Sequence, residues 1–338
     1  MTPRDIIEKN IKFQNPERIG LRFNALGVSD VHRIYVQHPG NVANDSSGEI
    51  SMAKKRKYPD NIDEWGCKWE NVSGVEESDM GQVLDPPIKH IDQAQDYPFP
   101  DPYDPKHFPR IEETLALSGE KFVQLNSPFC LFERLHFLRG FEDSLCDLAL
   151  EPEKSAKLLD AIIGFQIGIA EMAGRLGGSR IHCFDTTDDW GTQAGMFISP
   201  KMWRQAFKPR YKKLIDTVHD NGMYFRFHSD GKINPILEDL VEIGVDILNI
   251  HQPLLIGFDE IREKLRGKVC LEVSVDIQAT LPYGIKEDIT NQVKKIIDNC
   301  CTPAGGLIGV EYRRGKAVGI SQQALEYELA AFQKFGSL

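Results

Sequence analysis

One feature constrains this chain more than any other: short β-branched or aromatic runs alternate with helical stretches, and each run carries a polar row on one face. The runs are "IGLRFNAL" from 19, "KFVQLNS" from 121, "RIHCFDT" from 180, "MYFRFHSD" from 223, "VDILNIHQ" from 245, "VCLEVSVD" from 269 and "GLIGVEYR" from 306. Side chains of a strand alternate between its faces. In "MYFRFHSD" that sets Phe225 and Phe227 against Arg226, His228 and Asp230. Between the runs, helical spacing is plain from 152 and from 200. There Trp203, Phe207, Tyr211, Leu214, Ile215 and Val218 share a face and Pro209 predicts a kink.

Strands alternating with helices predict parallel β-α units, whose strands are covered on both faces and should be apolar throughout. These are not, so their polar rows need a shared destination. A barrel supplies one, because inward side chains converge on its axis while outward ones meet the helices. The expected fold class is therefore α/β, a (β/α)8 TIM barrel, with seven visible strands and an eighth between residues 60 and 95. An open doubly wound sheet accounts for the polar rows less well. No glycine-rich phosphate fingerprint follows any run, which weakens nucleotide-binding readings.

Residues 1–338 are expected to form a single domain. Residues 1–110 contribute the first strand and an irregular covering segment, and residues 111–338 the main barrel. The covering segment ends in "YPFPDPYDPKHFP", whose prolines deny a helix. A net charge of -10 argues against nucleic acid or an anionic membrane as partner. No apolar run nears the ~18 residues of a membrane span and the first residues lack a signal-peptide layout, so a cytoplasmic protein is expected. Seven cysteines, scattered and odd in number, predict reduced, mostly buried thiols. The run "KKRK" from 54 is expected to be a solvated loop.

The polar rows name the candidate binding residues: Arg22, Asn24, Asn126, Asp276 and Arg313, with Asp188, Asp189, Trp190 and Gln193 from the turn "DDWGTQ". His228 and Asp230 stand out, because face and strand end both point to a site. Blander readings exist for others. Asp188, Asp189 and Trp190 could cap the following loop and helix. His251 could be a hydrogen-bonded core residue, and Glu272 could form a buried ion pair with Arg226.

The stretch "DDWGTQAGMFISPKMWRQAFKPRYKKLIDTVHDNG", followed by "HSDG" and "EIGVDILNIHQP", resembles the uroporphyrinogen decarboxylase superfamily, over roughly residues 110 to 330. The resemblance implies the (β/α)8 barrel with a site at the C-terminal strand ends. Departures from the family pattern sort its branches. The decarboxylases carry an arginine-rich first strand and a histidine near the end of the last; here only Arg22 and, at about the latter place, Arg313 are present. The thiol-methylating branch reads His-x-Cys after the fifth strand and a further cysteine after the eighth. In this chain His228 matches, Asp230 replaces the cysteine, and neither Glu311 nor Arg313 restores the second.

A third branch moves methyl groups from methoxylated or methylated donors to the cobalt of a corrinoid protein, and "DEWGCKWENVSGVEESDMGQV" resembles it. The expected function is methyl transfer from a small methoxylated aromatic donor to a corrinoid carried on a partner protein. Catalytic roles fall to His228, Asp230, Glu311 and His251. The resemblance allows His228, Asp230 and Glu311 to hold zinc, or His228 and His251 to donate protons, since an unassisted alkoxide or phenoxide leaves poorly. Decarboxylation, or non-catalytic binding of a corrinoid or tetrapyrrole, is the alternative, and a homodimer is compatible with either.

Overall fold

The computed structural model describes residues 1–36, 61–70, 81–312 and 318–338. In chain order its strands are β1 (Gly20–Phe23), β2 (Val28–Ser29), β3 (Val31–Tyr35), β4 (Lys68–Glu70), β5 (Gln82–Asp85), β6 (Phe122–Asn126), β7 (Cys183–Thr187), β8 (Tyr224–His228), β9 (Ile247–Ile250), β10 (Cys270–Val273) and β11 (Leu307–Val310). The large sheet runs β2-β1-β11-β10-β9-β8-β7-β6-β3. Apart from the short antiparallel return of β2 along β1, every pairing in it is parallel. The result is a (β/α)8 barrel whose seam lies between β1 and β3. Asp30, just ahead of β3, bridges that seam: its N–H donates to the Leu21 carbonyl (2.8 Å) and its carboxylate accepts from the Leu21 N–H (2.9 Å).

The eighth strand is therefore β3, which follows β1 closely, and not a strand between residues 60 and 95. The expected region holds the antiparallel pair β4 and β5, in a sheet of its own. Part of the covering segment is pinned by Asp63. Its carboxylate accepts the N–H groups of Trp65 and Cys67, the Trp69 indole N–H and an Arg134 guanidinium N–H. Arg134 in turn lies 4.8 Å from the centroid of the Trp65 ring. "KKRK" and Arg313 lie outside the described residues.

The expected alternation holds on most strands. Phe225 and Phe227 face the helical layer, while Tyr224, Arg226 and His228 face the lumen. The deepest lumen layer is apolar: Val31, Phe122, Cys183, Ile247, Cys270 and Ile308 pack on Ile7 and Ile11. Those two come from the helix Pro3–Lys12, which caps the N-terminal end of the barrel and is itself started by a Thr2 capping box. The stretch from 200 forms two helices, Pro200–Ala206 and Lys208–Asp220. Pro209 sits in the first turn of the second, where its missing N–H costs nothing. All seven cysteines are free, and only Cys146 is exposed.

Asp246 sets the start of β8 by accepting the Phe225 N–H (2.7 Å), and His219 Nε2 lies 2.7 Å from the same carboxylate. The hydrogen bond to Asp246, opposed by burial, raises the His219 pKa. Its stabilisation is therefore full below the unfolded histidine value of about 6.5 and is lost as pH rises through the raised folded value. His219→Ala should lower the melting temperature measurably near pH 5.5 and hardly at all near pH 9. Equal losses at both would show that the pair carries no charge.

Candidate active site

Two loops, after β7 and β8, build the mouth and are joined backbone to backbone. The Asp188 N–H donates to the His228 carbonyl (2.9 Å), the Gly191 N–H to the Asp230 carbonyl (3.2 Å) and the Lys232 N–H to the Thr192 carbonyl (2.9 Å). The approach is close enough to require glycine on both sides. A Cβ on Gly191 would lie 2.4 Å from the Lys232 nitrogen, and one on Gly231, at φ +83°, would lie 2.1 Å from the Gly191 oxygen. This junction is why a glycine ends "HSDG": it holds Asp189 and Asp230 on either side of one imidazole.

That imidazole is His228. Its Nδ1 lies 2.6 Å from Asn249 Oδ1, which orients the ring. Its Nε2 is 3.7 Å from Asp189 Oδ1 and 3.6 Å from Asp230 Oδ2. Burial works against its charge, but Asp230 and then Asp189 outweigh it and raise the pKa. Conversely, although burial opposes it, His228 holds the Asp230 carboxyl below its ordinary value. Asp230 Oδ1 is buried and has no hydrogen-bond partner. Beside this group His251 stays neutral: burial, helped by the charge of His228, drives its pKa down to about 3. Its Nδ1 lies 2.9 Å from the Ser274 hydroxyl, and its ring packs against His228 and Tyr312.

Among the described residues, Asp189, His228 and Asp230 are the group whose ligand atoms converge, all within 4.8 Å of one another. The expected set of His228, Asp230 and Glu311 is corrected on this point, with Asp189 in place of Glu311. On β11 the lumen-facing residue is Ile308, so Glu311 shares the outer face with Leu307 and Gly309. There its carboxylate accepts the Ala25 N–H at 2.9 and 3.2 Å. An imidazole and two carboxylates, with one oxygen buried and unpartnered, fit a zinc or harder divalent ion better than a thiolate-seeking one.

The other expected binding residues divide. Arg22 and Asn126 face the lumen, but both are engaged: Arg22 with Glu272 (2.7 Å), Asn126 with the Asp185 carbonyl and carboxylate (3.3 and 3.2 Å). Asn24 is half-buried and opens a short 3-10 turn. Asp276 is taken up by its own loop, accepting the N–H groups of Gln278 and Ala279 (3.1 and 2.8 Å). Asp188 points away from the mouth and caps the helix Phe132–Arg139, accepting three backbone N–H groups at 2.7 to 3.0 Å and the Tyr211 hydroxyl. Burial pushes it up to about 7 against those bonds. Trp190 is fully buried, stacks on Phe132 (4.4 Å) and donates its indole N–H to Tyr211 (2.9 Å). Both are scaffold, as the capping reading allowed. Gln193 is exposed on the loop.

Sequence reasoning missed Glu133. It accepts the Thr187 hydroxyl (2.9 Å), and Thr187 is the register partner of His228. Burial, then the charges of Asp189 and Asp188, push its carboxyl well above the usual range. Nothing in its helical stretch marks it, since only the cap on Asp188 brings it to the mouth.

Eight parallel strands around a plugged lumen, with titratable groups gathered at their C-terminal ends, define a (β/α)8 barrel whose candidate site is its mouth. The family model of uroporphyrinogen decarboxylase (URO-D) matches residues 73–309. The chain belongs to that family. Its fold is similar to that of a methyltransferase from Methanosarcina mazei, with a TM-score of 0.64 at 16% identity over 80% of this chain and 76% of that one. The xylanase 10B of Thermotoga petrophila RKU-1 matches with a TM-score of 0.42 at 13% identity, over 73% of this chain and 85% of the other. A search of curated proteins found no match. Among the described residues, no helix is long and apolar enough to cross a membrane.

Proposed function

We propose that the protein is a methyltransferase that takes the methyl group of a small methoxylated aromatic donor and delivers it to the cobalt of a corrinoid on a partner protein. The observation that carries this reading is His228, held between Asp189 and Asp230 at the mouth of the barrel. The corrinoid would supply the nucleophile for the methyl carbon, and as the carbon–oxygen bond breaks its electron pair leaves on oxygen. A phenoxide is a poor leaving group unless it is protonated or bound to a Lewis acid as it forms. A charged imidazole flanked by two carboxylates supplies the proton, and neutral His251 adds a hydrogen bond to the same oxygen. Asp189, His228 and Asp230 are also the residues that would hold a metal, which when bound would act as the Lewis acid. Family membership and the fold shared with a methyltransferase support the choice. The reducing chemistry of cob(I) and seven free thiols favour a cytoplasmic setting.

The test is purified protein incubated with cob(I)alamin and methoxylated aromatics. Methylcobalamin should appear in the visible spectrum together with the demethylated phenol. Release of carbon dioxide from a carboxylated substrate without methylcobalamin would assign decarboxylation instead, and binding without turnover a non-catalytic role. Metal analysis of the same sample separates the two forms of assistance. Stoichiometric zinc that is lost in His228→Ala would make the cluster a metal site. Active protein free of metal would leave proton donation.

A further inference from the structure

The two mouth histidines each turn Nδ1 toward a buried, uncharged partner, and the two partners have opposite polarity. Asn249 stands in register with His228 on one neighbouring strand and with Glu272 on the other. It is almost fully buried, and its amide bridges the two: Nδ2 donates to the Glu272 carbonyl (3.0 Å) while Oδ1 lies 2.6 Å from His228 Nδ1. The carbonyl fixes which way the amide faces. Turned over, the amide would set Oδ1 against the Glu272 oxygen, two buried acceptors with no proton between them. Oδ1 therefore faces His228 and can only accept, so Nδ1 of that ring carries a proton.

Ser274 imposes the reverse on His251. It is fully buried just past β10, and its hydroxyl lies 2.9 Å from His251 Nδ1. A hydroxyl has one proton to place, and among the described residues that imidazole nitrogen is the acceptor within reach of Ser274. Were Nδ1 to carry the proton instead, the O–H of Ser274 would be buried without a partner, at the full desolvation cost of the group. Nδ1 of His251 therefore accepts, and because this ring is neutral its proton sits on Nε2.

We propose that Asn249 and Ser274 are positioning residues that lock the two histidines in opposite tautomers, Nδ1–H at His228 and Nε2–H at His251, and so give them different parts in the reaction. This rests on the proposed function for the reaction itself, while the tautomers are argued from the hydrogen bonds alone. His251 keeps its Nε2 proton throughout and serves only as a hydrogen-bond donor. His228 keeps its Nδ1 proton throughout, so the proton it gives up is the one on Nε2, the nitrogen that lies between Asp189 and Asp230. That proton passes to the leaving oxygen and the imidazolium becomes a neutral imidazole. The Nδ1–H tautomer that remains is the one Asn249 already holds, and no turn of the ring has to follow. The lone pair exposed on Nε2 is also the one a metal would take.

Long-range 15N–1H spectra of the full chain test the tautomers, with 15N-labelled histidine and after dialysis against a chelator so that no ion imposes one. Signals are assigned by their loss in His228→Ala and His251→Ala, and the spectra are followed upward in pH until His228 loses its charge. His251 should read as Nε2–H and His228 as Nδ1–H. In Asn249→Leu the His228 signals should move toward Nε2–H, and in Ser274→Ala those of His251 toward Nδ1–H. Asn249→Asp, which keeps an acceptor, should hold Nδ1–H on His228. Methyl transfer should fall roughly 10–100-fold in Asn249→Leu, the usual loss when the partner that orients a working histidine is removed, and less in Asn249→Asp. Any other pair of tautomers in the wild-type protein would overturn the inference. So would tautomers that stay unmoved in Asn249→Leu and Ser274→Ala, or equal rate losses in Asn249→Leu and Asn249→Asp. If a variant does not fold, the wild-type spectrum still decides. Because the spectra need neither donor nor corrinoid, failure of methyl transfer leaves them standing, and failure here leaves methyl transfer to be judged on its own assay.

Discussion

Replacing His228 with alanine is expected to lower methyl transfer from a methoxylated donor by roughly two to four orders of magnitude, with little change in donor affinity. The negative charge on the leaving oxygen exists only in the transition state, so an acid that meets it there affects turnover and not binding. Asp230→Ala should have an effect of the same size, because Asp230 is the larger of the two charges that keep His228 protonated. The two mouth loops are joined through their backbones, so both variants should keep the geometry of the mouth. Stopped-flow loss of the cob(I)alamin absorbance at saturating donor is the measurement. Wild-type rates in both variants would move the chemistry to another part of the barrel.

Glu272→Ala is expected to destabilise the fold by about 3–5 kcal/mol, the usual cost of removing one partner from a buried ion pair. Glu272 is fully buried and pairs with two arginines at once. Burial opposes its charge, yet Arg22 and Arg226 hold its carboxyl far below the ordinary range. Removing it leaves Arg22, Arg226 and Arg33 in the lumen with only Asp185 to answer three positive charges. A urea titration should show the loss as a fall in the midpoint. An unchanged midpoint would mean that water already reaches the layer and screens it.

The parts of this architecture legible from the residues are those where period-two alternation is interrupted by helices. "KFVQLNS", "MYFRFHSD" and "VDILNIHQ" each have an unambiguous phase, and their inward rows are the observed ones. The fold class and the place of His228 and Asp230 follow from them. β3 is not legible because no α-helix separates it from β1: the chain makes a single 3-10 turn, reverses through β2 and re-enters the barrel at Val31. With β3 goes Arg33, which pairs with Asp185 in the lumen. "GLIGVEYR" was misphased for a different reason. Its alternation puts Glu311 on the polar row, whereas the apolar Ile308 is the residue that faces the lumen. At "DDWG" no local signal tells Asp188 from Asp189. The first turns to cap a helix 55 to 57 residues away in sequence and the second to the mouth, a division that tertiary packing alone decides.

The helix Pro3–Lys12, with Ile7 and Ile11 pressed into the deepest layer, stoppers the barrel at its N-terminal end. A vessel closed at the bottom has a single doorway. A ligand that stands in the lumen must come and go by the mouth, and a partner presenting cobalt to its methyl group must occupy that same doorway. On the proposed reaction, donor entry, partner arrival, partner departure and product escape would form a queue: the donor would have to be inside before the partner seats, and the phenol could not leave until it lifts away. Excess partner protein should accordingly slow turnover by holding the door shut on spent product.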